Sequence, residues 1–245
     1  MPVQEPRHQQ GWHVARAAID ALGDHFGVRL ASGYVIGSLA HGGFAPSVSD
    51  IDVAVMLDAC TDDVPAAVAE AVAATRRRLH SPLADRLSVF YGDWQTFADP
   101  PASARLQAID RFDLMEHGVF IVGVDKRDTH GTVPGHRQLI DATAAYLAQQ
   151  PLRAPDPVAL VAAGPRPLTR AALLPVRFLY THQTGRAGGA PEAGGWYCDA
   201  GRRSAPLVDA ALEWRSGQVP ADRAISLVQA YLADLQAECM DAFAP

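Results

Sequence analysis

The sequence predicts an α/β (α+β) protein, with a small sheet in the first half of the chain and a helical bundle in the second. Two observations predict it. Four short apolar runs, at 28–36, 51–57, 85–91 and 117–125, have the length and flanks of strands, and all lie before residue 134. From residue 168 onward the apolar residues recur instead at the three-and-four spacing of helices.

The elements follow in order. Residues 10–26 form the first expected helix, because Trp12, Ala15, Ile19, Leu22 and Phe26 fall on one stripe and Gly27 follows as a stop. The first strand, 28–36, ends at Gly37-Ser38. A short helix starts after Ser38, and Gly42, Gly43 and Pro46 then break the chain. The second strand, 51–57, opens with Asp50 and Asp52 one residue apart. Asp62-Asp63-Val-Pro65 starts a helix, with an acidic cap and proline in the first turn, that carries an Ala/Val stripe to Leu79. Arg76, Arg77 and Arg78 close it as solvated cations in the last turn. Ser81-Pro82 breaks the chain before the third strand, 85–91.

Residues 96–113 read as loop and helix, and 117–125 as an apolar strand that extends the sheet. A helix is expected over 138–149, and 151–167, rich in Pro and Ala, is a connection with one short helix. In the helix from 168, Leu173, Val176, Phe178, Leu179 and Tyr180 are read as buried, with Pro175 in the first turn or at a kink. Residues 183–195 are glycine-rich and read as a mobile loop. Two helices follow, 205–216 and 221–243, the last with an apolar stripe of Val228, Tyr231, Leu232, Leu235 and Cys239 for bundle packing. The expected domains are 1–134 and 135–245.

Composition narrows the class. With 245 residues, 49% of them hydrophobic and 20% charged, the chain reads as a soluble globular protein. A net charge of −6 speaks against a general nucleic-acid binder and mildly favours a cationic substrate. Lys126 is the only lysine, so phosphate contacts would fall to arginine or backbone. Cys60, Cys198 and Cys239 lack metal-ligand spacing and read as reduced thiols. The N-terminal stretch is polar, without the pattern of a signal peptide, and no apolar run is long enough to cross a bilayer. The expected location is cytoplasmic, with no nucleic-acid or membrane partner. Isolated histidines such as His117 and His130 read as polar surface or satisfied core groups rather than metal ligands.

The chemistry concentrates between Tyr34 and Leu57. Alternate strand residues point to one face, so the carboxylates of Asp50 and Asp52 project together. Two close like charges repel unless a cation sits between them, and Mg2+ is the usual solution, its shell completed by phosphate oxygens and water. Gly37-Ser38, at a strand end and a helix start, lets backbone N–H groups approach a phosphate.

Gly37-Ser38, a short spacer, then Ser49-Asp50-Ile-Asp52 on a strand resembles the signature of the polymerase β-type nucleotidyltransferase superfamily. The whole chain resembles one branch, the streptomycin/spectinomycin-type aminoglycoside adenylyltransferases. The stretch from Glu116 to Gly123 is similar to the apolar strand that closes that family's first domain, and the stretch from Arg177 to Gly185 to a helix ending in Thr-Gly. Trp196 falls where the family has a tryptophan. The resemblance implies a small mixed-sheet nucleotidyltransferase domain followed by a C-terminal helical bundle domain. It implies Mg2+-dependent transfer of AMP from ATP to a hydroxyl of a small molecule, with an aminoglycoside-like acceptor among the possibilities. Two Mg2+ ions would be held by Asp50, Asp52 and Asp85, and Gly37, Ser38 and Arg177 would bind the nucleotide. Asp85 matches the superfamily's third carboxylate and would act as base or metal ligand, with Asp93 the runner-up.

Three departures stand out. Gly189-Ala190 replaces the family's loop Ser-Lys, whose lysine reaches ATP phosphates; Arg177, Arg186, Arg202 and Arg203 are the candidate substitutes. Pro167-Leu-Thr-Arg170 replaces an acidic Arg-Asn run on the drug-binding side, and a loop after the third strand is absent. Two alternatives follow: nucleotidyl transfer to another acceptor such as a protein, or a non-catalytic descendant that binds nucleotide.

Overall fold

A computed structural model describes residues 4–101 and 104–244. The chain divides into two compact units, Met1–Pro134 and Gly135–Pro245. The architecture is the expected α+β one: a four-stranded mixed sheet in the first unit and helices in the second.

The first unit opens with α1 (Gln4–Phe26), which begins earlier than its apolar stripe. A single 3-10 turn leads into β1 (Leu30–Ile36), followed without a break by the short α2 (Gly37–Ala40). Then come β2 (Ile51–Leu57), α3 (Val64–Leu79), β3 (Leu87–Asp93), α4 (Ala108–His117), β4 (Val119–Gly123) and the short α5 (Arg127–His130). The strand order is β3-β2-β1-β4. β1 runs antiparallel to both β2 and β4, while β2 and β3 are parallel. Parallel neighbours need a crossover, and α3 supplies it.

One sheet face is covered by α1 and α3. Val35, Val53, Val55, Leu87 and Val89 bury there against Val14, Ile19, Leu22, Val64 and Val68. The opposite face packs Tyr34, Ile36, Ala54 and Met56 under Trp94, Phe97, Leu106 and Leu114. That cover is mostly irregular chain, and Arg111 fastens it by donating to the carbonyls of Phe97 and Ala98 at 2.6 and 2.7 Å. Burial lowers the pKa of Arg111, the expected cost of taking a cation from water.

The arginines that end α3 are exposed, as expected, and two of them also reach backbone carbonyls of neighbouring segments. Arg76 donates from Nε to Ala84 O at 3.2 Å, and Arg78 ties α3 to α1 through Ala17 O at 2.9 Å. Asp63 does not cap α3; its carboxylate accepts from Arg29 at 2.8 Å.

Beyond β4, Asp125 joins Tyr34 and Arg127. Tyr34 donates to Asp125 at 2.9 Å, and Arg127 pairs with the same carboxylate at 2.7 Å while donating to Gly118 O at 2.7 Å. These bonds fasten the chain after the edge strand to β1. Burial pushes the Tyr34 hydroxyl up to about 12.

In the second unit, α6 (His136–Gln149), α7 (Pro157–Ala162), α9 (Ala190–Asp199), α10 (Ala205–Trp214) and α11 (Ala221–Ala242) all pack on α8 (Pro165–Thr184). Pro175 lies in the interior of α8, buried, and the helix continues across it rather than starting there. The glycine-rich stretch is corrected more sharply. α8 runs to Thr184, only 185–189 is loop, and the rest is α9. A Cβ on Gly194 would stand 2.9 Å from Leu212 Cδ1, so glycine there permits the close packing of α9 on α10. Arg202 lies over the Trp196 ring at 4.4 Å and pairs with Glu238 at 2.6 Å, and Tyr197 donates to the same carboxylate at 2.6 Å. Among the described residues, no helix is long and apolar enough to cross a membrane.

Two tests follow from this packing. Leu235 on α11 is fully buried, so Leu235→Ala should cost about 2–5 kcal/mol in urea unfolding. A cost below about 1 kcal/mol would show that this face of α11 is not core. The second concerns Asp125, whose hydrogen bonds from Arg127 hold its folded pKa at about 2. A depressed carboxylate pKa stabilises above the unfolded value of about 3.9, and that contribution fades as pH falls through the folded one. Asp125→Asn should therefore be less stable than wild type at neutral pH, with a gap that narrows from about pH 4 towards about pH 2. A pH-independent gap would discard this linkage.

Candidate active site

The candidate site is built where β1 stops and β2 starts. Ile36 and Asp52 are antiparallel partners, so the end of one strand lies beside the opening of the other. Gly37 follows with φ +69°, a left-handed conformation that favours glycine. A Cβ built on Gly37 would stand 2.5 Å from Asp52 Oδ2, so the carboxylate occupies the space a side chain would need. Ser38 continues the turn into α2, half-buried.

Asp50 immediately precedes β2. The loop before it is fastened to itself: Ala45 N–H donates to Ser49 Oγ at 3.0 Å, and Ser49 N–H to Ala45 O at 2.8 Å. Arg86 clamps the same loop by donating to Pro46 O. Asp50 and Asp52 are both half-buried, which leaves them reachable by a ligand.

The sheet register settles what neighbours Asp52 on its other side. Asp52 pairs with Ser88 in the parallel β2–β3 ladder. Side chains in register share a face, so Ile36, Asp52 and Ser88 form a row across the sheet end. Asp85 is not on the strand as expected. It is the exposed residue of a 3-10 turn, Ala84–Arg86, and β3 begins only at Leu87. Ser81-Pro82 ends α3 in the sequence without showing how many residues the turn consumes. Asp93 is also elsewhere: it pairs with Leu57 at the far end of the sheet, buried, and accepts Thr96 N–H and Oγ1 at 2.8 Å each.

Arg177 belongs to the second unit, on α8, where its Nε donates to Gly188 O at 3.1 Å. Its guanidinium fastens the loop after α8.

One residue that sequence reasoning missed joins the turn. Asp113 on α4 accepts the Gly37 backbone N–H at 2.5 Å. One helical turn further, His117 meets His41 edge-on, with ring centroids 5.6 Å apart. The only sequence trace of this seam is the four-residue spacing of both pairs, Asp113 with His117 and Gly37 with His41.

The donor set decides what metal the site suits. Among the described residues, no group of three or more His, Cys, Asp or Glu side chains is arranged to hold a metal ion. A carboxylate pair beside a backbone turn fits instead the way Mg2+ is carried with a nucleotide, through one or two carboxylates plus phosphate oxygens.

The chain matches no protein-family model and no curated protein sequence. Among solved structures it is similar to the spectinomycin adenyltransferase AAD(9) from Enterococcus faecialis, determined with ATP and spectinomycin. The TM-score is 0.65 over 93% of this chain and 98% of that one, at 13% sequence identity. The likeness is one of fold: this chain has an aminoglycoside adenylyltransferase-like fold, an α+β unit with a mixed sheet followed by a helical unit.

Proposed function

We propose that this protein is a nucleotidyltransferase that moves AMP from ATP to a hydroxyl of a small molecule, releasing pyrophosphate. The observation that supports this reading most is the contact of Asp52 with Gly37, which sets a carboxylate against the turn where β1 ends. The neighbouring fold, solved with ATP and spectinomycin, supports ATP as co-substrate and a small hydroxylated acceptor.

In this reading the Gly37-Ser38 turn binds the β and γ phosphates through backbone N–H groups. Asp50 and Asp52 would hold magnesium together with the triphosphate, and the ion would supply positive charge against the charge building on the α-phosphate and the leaving group. Half-burial of both carboxylates limits water around them and strengthens their electrostatic effect. Asp85, exposed on the turn before β3, remains the proposed proton acceptor for the attacking hydroxyl.

A second reading has its own observation. The residue beside Asp52 on β3 is Ser88 rather than a carboxylate, which favours a protein that binds nucleotide without transferring it. Pyrophosphate release from ATP and Mg2+, screened over aminoglycosides, other hydroxylated metabolites and proteins, separates the two. Release with some acceptor supports transfer. Tight binding of ATP with no release against any acceptor supports the second reading, and absence of ATP binding rejects both.

Two substitutions probe the site. Asp52→Asn and Asp50→Asn should each lower turnover at least ~100-fold while the protein stays folded; near-normal turnover in either would remove that residue from the proposal. Gly37→Ala should reduce ATP affinity and also cost about 1–2 kcal/mol of stability, since alanine at φ +69° is strained and meets Asp52. Calorimetric titration with ATP beside a thermal melt checks both effects, and a destabilised variant with unaltered ATP affinity would make Gly37 a structural turn only.

A further inference from the structure

Gly37 stands between two carboxylates, and they do different things. Asp52 lies against its Cα, while Asp113 accepts its N–H at 2.5 Å. The second contact is not a by-product of capping α4. That helix has its own capping box, in which Asp110 and Gln107 satisfy the first turn. Asp113 arrives from 76 residues away, and a second contact in the same seam, His41 against His117, holds α4 alongside α2. An N–H makes one strong hydrogen bond, and an ionised acceptor makes it stronger. The donor that a phosphate oxygen would take is therefore already taken, by an oxygen of the same charge.

We propose that Asp113 is a latch on this turn, an internal stand-in for a phosphate oxygen that must leave before a nucleoside triphosphate can bind. The inference rests on the proposed nucleotide role of Gly37 and adds a positioning residue to it. Asp113 satisfies the turn in the nucleotide-free protein and keeps Gly37 in its left-handed conformation. A triphosphate approaching the turn meets the charges of both Asp52 and Asp113, and gains the N–H only when the Asp113 carboxylate withdraws. Apparent nucleotide affinity is reduced by the fraction of molecules still latched.

The test is calorimetric titration of the full chain with ATP and with inorganic tripolyphosphate, with and without Mg2+. It compares wild type, Asp113→Asn, Asp113→Ala and Glu116→Gln. Glu116 is exposed on the same helix and controls for the loss of one charge. In parallel, the Gly37 amide is followed by 1H–15N NMR, where a short bond to a carboxylate gives a strongly downfield proton. Asp113→Asn and Asp113→Ala should bind ATP about tenfold more tightly, Glu116→Gln should match wild type, and the Gly37 proton should shift upfield in Asp113→Ala. If wild type binds ATP and the Asp113 variants bind it equally or more weakly, the latch is overturned while the nucleotide role survives. Equal tightening in Glu116→Gln would reduce the effect to bulk charge and overturn it too. Binding by the variants alone would support the latch in its strongest form. No binding by wild type or variants would sink both the latch and the reading it rests on.

Discussion

The approach of Asp52 to Gly37 is the constraint on which the candidate site depends. A carboxylate oxygen stands 2.5 Å from where a Cβ would be, and the glycine takes a left-handed φ that turns the chain sharply out of β1. Those two facts require each other. Any side chain at Gly37 would push Asp52 aside, and a turn of another shape would separate the end of β1 from the start of β2. The antiparallel pairing of Ile36 with Asp52 holds the two ends in register, and the buried rows behind them, Tyr34 with Ala54 and then Met56, anchor that register in the core.

The sheet also acts as a ruler for everything else near the site. Its period of two and its parallel β2–β3 register assign each residue of β3 to one end and one face. Ser88 falls in the row of Asp52, and Asp93 falls at the opposite end as a buried acceptor for Thr96. Asp85 precedes the strand altogether. The candidate site in the first unit therefore has fewer strand carboxylates than the resemblance implied.

Several arginines hold chain segments together. Arg111 and Arg86 fasten loops through carbonyls, Arg78 joins two helices, and Arg177 and Arg202 stitch the helical unit through Gly188 and Glu238. With a single lysine in the chain, arginine does this work, and its fork of five donors suits carbonyl clamping better than an ammonium would.

What the sequence by itself determined is local. The strand–Gly-Ser–spacer–Asp-x-Asp order, the boundaries of β2 at Ile51–Leu57 and the helical character of the second half are all written within short windows of alternating or three-and-four periodicity. Only the tertiary structure decided the rest. The residues 183–195 looked like loop because glycines lower helix propensity, yet α9 forms there because Gly194 lets it pack onto Leu212. Asp113 reaches Gly37 across 76 residues, and Ser88 reaches Asp52 only through the crossover by α3. Such pairings are fixed by how whole faces bury against one another, and a single sequence records the faces without recording which ones meet.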